Sequence, residues 1–181
     1  MSKVQVAGKN IEILFDEAAI AARVSVMSQE IKQAGLPRLL IISVLKGSFI
    51  FAADLLRALH NAGLDPEVEF ISLSSYGAGT KSSGAITIVR DIESDVSGRT
   101  ILLLDDILES GRTMAYAKDL LIARGAAEVK ACVLLDKRDK RAVEIEADYV
   151  GFECPDRFVV GYGMDMSHAF RQLPYVGVLT G

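Results

Sequence analysis

Two hydrophobic periods organise the chain. Residues 16–34 place Ala18, Ile20, Ala21, Val24, Met27 and Ile31 at helical spacing. Asp16 stands as a cap before them, and Gly35 and Pro37 stop the run. Residues 38–45 are almost continuously apolar and predict a strand buried on both faces. After the Lys46-Gly47-Ser48 interruption, residues 49–62 return to a helical pattern that Gly63 ends. Residues 67–74 and 85–91 alternate apolar with polar and predict strands. The glycine- and serine-rich residues 75–84 between them predict a loop rather than a tight hairpin turn.

Residues 99–104 form another buried strand and 113–124 a helix ending at Gly125. Residues 128–135 are a further buried strand, stopped by the charged run from Asp136 to Arg141. Short β-like pieces follow at 149–152, 158–161 and 176–179. Strand–helix alternation through the middle predicts an α/β fold: a central, mostly parallel sheet with helices on both faces. The two ends predict a smaller, irregular subdomain beside it. No internal repeat or linker divides the chain, so residues 1–181 are expected to form a single domain.

Composition narrows the function classes. Half of the residues are hydrophobic and 24% are charged, with a net charge of −4. That balance gives no long-range pull toward nucleic acid or an anionic membrane, so an anionic substrate must be held by local groups. No apolar run approaches the roughly 20 residues that span a bilayer, and the start lacks an apolar signal core. Cys132 and Cys154 lack metal-like spacing and are expected to be buried, reduced thiols, which suits a cytoplasmic protein.

The chemistry concentrates between Ile101 and Met114. An apolar strand meets two adjacent carboxylates, Asp105 and Asp106, followed by the polar turn Glu109-Ser110-Gly111-Arg112-Thr113 and a helix. In an open α/β sheet, ligands sit outside the carboxyl ends of the strands. A helix N-terminus with unpaired N–H groups favours an anion, commonly a phosphate. Carboxylates for sugar hydroxyls beside donors for a phosphate suit a ribose 5-phosphate. A P-loop reading fails because no G-x-x-x-x-G-K-[ST] follows a strand, and no G-x-G-x-x-G joins a strand to a helix. His60 and His168 have no orienting partner in the sequence and are expected to be structural or surface residues.

Residues 101–114 resemble the phosphoribosyl-pyrophosphate signature of the type I phosphoribosyltransferases. Leu45-Lys46-Gly47-Ser48, Ser75-Tyr76, and the stretch from Asp148 to Asp165 followed by Phe170-Arg171 narrow the resemblance to the hypoxanthine-guanine branch. It runs from about Val6 to Leu179 and implies a small hood subdomain built from both ends of the chain. It also implies transfer of a phosphoribosyl group from phosphoribosyl pyrophosphate to a 6-oxopurine, magnesium as cofactor, and a homodimer or homotetramer. By the same resemblance, Asp105 and Asp106 hold the ribose hydroxyls directly or through magnesium, with Asp165 as a further metal ligand that also borders the purine. Glu109, Ser110, Gly111, Arg112 and Thr113 cradle the 5-phosphate. Lys46, Gly47 and Arg171 grip the pyrophosphate, and the Leu45–Lys46 peptide is often cis in the family. Ser75 and Tyr76 belong to the lid. Lys137 donates to the purine 6-oxo group, Phe158 stacks on the base, Val159 reads its edge, and Ile107 lines the same pocket.

This chain departs from the family pattern twice. The family usually has Glu then Asp at the Asp105-Asp106 pair, and Asp at Glu109, where the carboxylate is the expected catalytic base or acid at purine N7. Glutamate lengthens that reach by about 1.5 Å. The rival readings are a regulator of the same fold that binds nucleic acid, which the acidic balance disfavours, and a sister enzyme for xanthine.

Overall fold

The computed structural model describes residues 3–75 and 86–180. A six-stranded sheet runs in the order β5(Ile86–Arg90), β4(Glu67–Ser75), β3(Leu39–Leu45), β6(Thr100–Leu108), β7(Glu128–Asp136), β8(Tyr149–Glu153). All neighbours pair in parallel except β5, which returns antiparallel to β4. Side chains alternate across a strand, so the apolar runs of the central strands split between two cores. Ile41, Leu102, Leu104 and Leu134 pack under α1(Glu17–Gln33) and α2(Phe49–Asn61). Leu40, Ile42, Ile101, Leu103 and Val133 pack under α3(Arg112–Ala123) on the opposite face.

The helix ends follow their sequence signals. The Ala19 N–H donates to Asp16 Oδ1 (2.8 Å), and past the far end Gly35 takes φ +61°. Gly111 precedes α3 with φ +79°, where a Cβ would also run into Ile145, Val143 and Arg141. A side chain there would face both backbone strain and a packed wall.

The ends of the chain are more regular than expected. β1(Lys3–Val6), β2(Lys9–Phe15), β10(Val176–Thr180) and β9(Val159–Val160) form an antiparallel sheet in the order β1-β2-β10-β9. It has its own small core of Ile11, Val160, Phe170 and Leu173. Val159, Tyr162, Val176 and Val178 also join the core under α1 and α2, so this hood shares its packing with the main sheet.

Candidate active site

β6 does not stop at the carboxylates, as its apolar pattern suggested. It continues through Asp105 and Asp106 to Leu108, paired with β7 as far as Leu108↔Asp136. Its pairing with β3 ends earlier, at Ser43↔Leu104. β3 itself runs on against β4 to Leu45↔Ser72, and the Lys46-Gly47 loop that follows packs against Asp106. The two carboxylates bond along this segment. The Asp106 N–H donates to Asp105 Oδ1 (2.9 Å) and the Ile107 N–H to Asp106 Oδ1 (3.0 Å). Burial and the facing Asp106 carboxylate push the Asp105 carboxyl well above the usual range.

A small cleft of about 180 Å³ opens at the end of β6, lined by Asp105, Ile107, Glu109, Ser110, Gly111 and Thr113 among others. α3 begins here, so first-turn N–H groups are available to an anion. The turn is fixed from behind by the segment after β7. The Ala142 N–H donates to Ser110 O (2.9 Å), and Arg141 Nη1 donates to Glu109 O (3.0 Å). Arg141 also pairs with Asp136, whose side chain is 4% exposed and which Arg138 Nε meets at 3.0 Å. Arg112, expected in the cradle, is exposed and does not line the cleft. As the first residue of α3 it donates its backbone N–H to Ser110 Oγ (3.4 Å), while its side chain lies outward.

A second cleft, about 450 Å³, is lined by Lys46, Gly47, Asp106, Asp165 and Arg171 together with parts of β4 and β5. The Leu45–Lys46 peptide is cis. A Cβ on Gly47 would overlap the Asp106 carboxylate, and one on Gly163 would overlap Gly47 O, so two glycines permit this close approach. The loop is tied beneath by buried hydroxyls: Ser43 and Ser48 meet at 2.7 Å, and Ser48 donates to Val44 O. Asp165 bonds Arg171 Nη2 through Oδ1 (2.7 Å) and accepts the His168 N–H through Oδ2 (2.7 Å). Arg171 Nη1 donates to Gly163 O (2.6 Å). His168 thus meets Asp165 through its backbone.

The third group lies beside the Glu109–Thr113 turn. Lys137, with a side chain only 6% exposed, donates to Arg157 O (2.8 Å) and lies 3.4 Å from Glu109 Oε1. Lys140 Nζ stands 3.9 Å from the same Glu109 oxygen, so two ammonium groups flank that carboxylate. Phe158 leaves 57% of its surface exposed, an unusual cost for a large aromatic, while Val159 beside it is buried.

The expected residues thus collect at one end of the main sheet. Among the described residues no three or more His, Cys, Asp and Glu side chains form a ready metal cluster, so Asp165 does not join the Asp105–Asp106 pair. Ser75 ends β4, and Tyr76 with the loop to residue 85 lies outside the described residues. Asp136 and Arg141, which brace the turn, were read in the sequence only as part of a strand-stopping charged run. The signal available was an acid directly after an apolar strand with arginines two and five residues on. A cavity of about 750 Å³ between α1, α2 and Pro174 contains none of the expected residues.

The phosphoribosyl transferase domain family matches residues 10–167. A hypoxanthine-guanine phosphoribosyltransferase of Aquifex aeolicus is 43% identical over 174 residues, covering 95% of this chain and 96% of that protein. A hypoxanthine phosphoribosyl transferase structure from Trypanosoma cruzi superposes with a TM-score of 0.90 at 38% identity, covering 98% of this chain and 95% of the other. One from Staphylococcus aureus gives 0.87 at 36% identity, covering 93% and 91%. With that similarity running nearly end to end in sequence and in fold, the chain belongs to the phosphoribosyl transferase family, in its hypoxanthine(-guanine) phosphoribosyltransferase branch.

Proposed function

We propose that this protein is a purine-salvage enzyme that transfers the 5-phosphoribosyl group of phosphoribosyl pyrophosphate to hypoxanthine, and to guanine where its amine is accepted. The observation that carries the proposal is one continuous end of the sheet holding an anion-binding turn, paired carboxylates, a second cationic grip and a buried lysine beside an exposed aromatic ring. Residues 1–181 act as a single domain, a reading supported by the core that the hood shares with the main sheet.

The transition state for breaking the bond to the sugar resembles an oxocarbenium ion, as in glycoside hydrolysis. Ser110, Gly111, Thr113 and the first turn of α3 hold the 5-phosphate. Lys46, Gly47 and Arg171 receive the pyrophosphate, Arg171 through its forked donors. Lys137 donates to the 6-oxo group, Phe158 stacks on the ring, and Val159 and Ile107 border it. Glu109 exchanges the proton at N7 as general acid or base.

The donor set at Asp105 and Asp106 fits a magnesium ion. Two carboxylates stand side by side, and their mutual repulsion is what a hard divalent cation relieves. Magnesium bound there would neutralise charge on the pyrophosphate and polarise the ribose hydroxyls. Asp165, paired with Arg171, stands apart from those two carboxylates. No described helix is long and apolar enough to cross a membrane. The buried thiols of Cys132 and Cys154 support a reducing compartment, the cytoplasm. Assembly as a homodimer or homotetramer rests on the resemblance alone.

A panel of hypoxanthine, guanine and xanthine with magnesium and saturating phosphoribosyl pyrophosphate tests the reading. Nucleotide formation from hypoxanthine is expected, and formation from xanthine alone would reassign the base.

A further inference from the structure

The base-facing lysine is held by a carbonyl whose own residue is pinned from the hood. Lys137 Nζ donates to Arg157 O at 2.8 Å, its shortest polar contact. The Arg157 guanidinium reaches the other way and forks onto Glu12 of β2, Nη2 to Oε2 at 3.0 Å and Nη1 to Oε1 at 3.5 Å. The hood's register explains the reach: Val159 pairs with Val178, and Val178 pairs with Glu12, so the three residues lie in one line across β9, β10 and β2. Arg157 stands two residues before Val159 and immediately before the exposed ring of Phe158. Its N–H also closes a tight turn onto Pro155 O at 2.7 Å.

We propose that Arg157 is a positioning residue for base recognition, clamped by Glu12 so that its carbonyl orients Lys137 and its backbone sets the start of the Phe158 ring. The proposal rests on Lys137 being the partner of the purine. A partly exposed ion pair contributes little to global stability, so its effect belongs in alignment of the site. An arginine fork imposes more geometry than a point charge, which suits a residue that must hold a backbone in place.

Steady-state kinetics on the full chain, varying hypoxanthine and phosphoribosyl pyrophosphate separately, test this. Glu12→Gln and Arg157→Gln are each expected to raise the KM for hypoxanthine about threefold while the KM for phosphoribosyl pyrophosphate stays within about 1.5-fold. The reversed pair, Glu12→Arg with Arg157→Glu, is expected to bring the hypoxanthine KM back toward the parent value. Unchanged hypoxanthine KM in the single variants, equal rises in both KM values, or no recovery in the reversed pair overturns the proposal. Lys137→Gln separates the two levels. If it raises the hypoxanthine KM while Glu12→Gln does not, the clamp alone is wrong; if it leaves that KM unchanged, Lys137 is not the base partner and the clamp falls with it.

Discussion

Glu109 is the residue proposed to move the proton at the purine. Its side chain is 43% exposed, its backbone carbonyl is held by Arg141, and its carboxylate lies between Lys137 and Lys140. The longer side chain relative to the family's aspartate is thus met by two ammonium groups that fix where the carboxylate rests. If that carboxylate moves a proton, Glu109→Gln lowers turnover at least about tenfold, because general acid–base catalysis contributes on that order or more. Glu109→Asp retains or raises turnover if the longer arm is a handicap. Single-turnover rates with both variants decide it, and an unchanged rate in Glu109→Gln removes the residue from proton transfer. The departure itself was legible from the motif. Its two lysine neighbours were not: Lys137 and Lys140 are 28 and 31 residues away and meet Glu109 only because β7 lies beside β6.

At the scale of elements, periodicity located the three α-helices to within a residue or two and every strand of the main sheet. It failed where polar residues sit inside a strand. β6 runs on through two aspartates because β7 keeps supplying backbone partners, and the side chains bond to the next N–H groups rather than ending the strand. β1 and β2 were read as irregular because short, half-exposed antiparallel strands carry a weak pattern, with Lys9-Asn10 and Glu12 among their residues. The segment from Asp136 to Ile145 is the element that braces the phosphate turn. Removing Asp136 leaves Arg141 without its buried partner and frees the carbonyl grip on Glu109. Asp136→Ala is predicted to cost about 3 kcal/mol in denaturant unfolding, the range for stripping one member of a buried ion pair. A loss under about 0.5 kcal/mol, typical of a surface change, would contradict that bracing role.

For the whole molecule, strand–helix alternation foretold the layered α/β architecture, while the hood's regular sheet needed pairing between residues at opposite ends of the chain, which no local pattern encodes. Such long-range ties also make a small, solvent-screened contribution to acid stability. Hydrogen bonds from Arg157, Arg99 and Arg124 hold the carboxyls of Glu12, Glu67 and Asp91 below their ordinary range. A carboxylate whose folded pKa is depressed stabilises the fold above its unfolded pKa, and that stabilisation is lost as pH falls through the folded value. Asp105, whose carboxyl is held well above its ordinary range, works the other way and favours the fold as pH falls from neutral, so the loss of these ties is predicted as a modest fall in the urea midpoint below about pH 4. A midpoint that still rises below about pH 4 would contradict these ties.

The central claim is that this sheet end joins a 6-oxopurine to a phosphoribosyl group. The hypoxanthine arm of the substrate panel tests it most directly, with inosine monophosphate and pyrophosphate quantified from the same magnesium-containing reaction. The account predicts equal amounts of both products. Pyrophosphate without nucleotide, or neither product from folded protein, would contradict it.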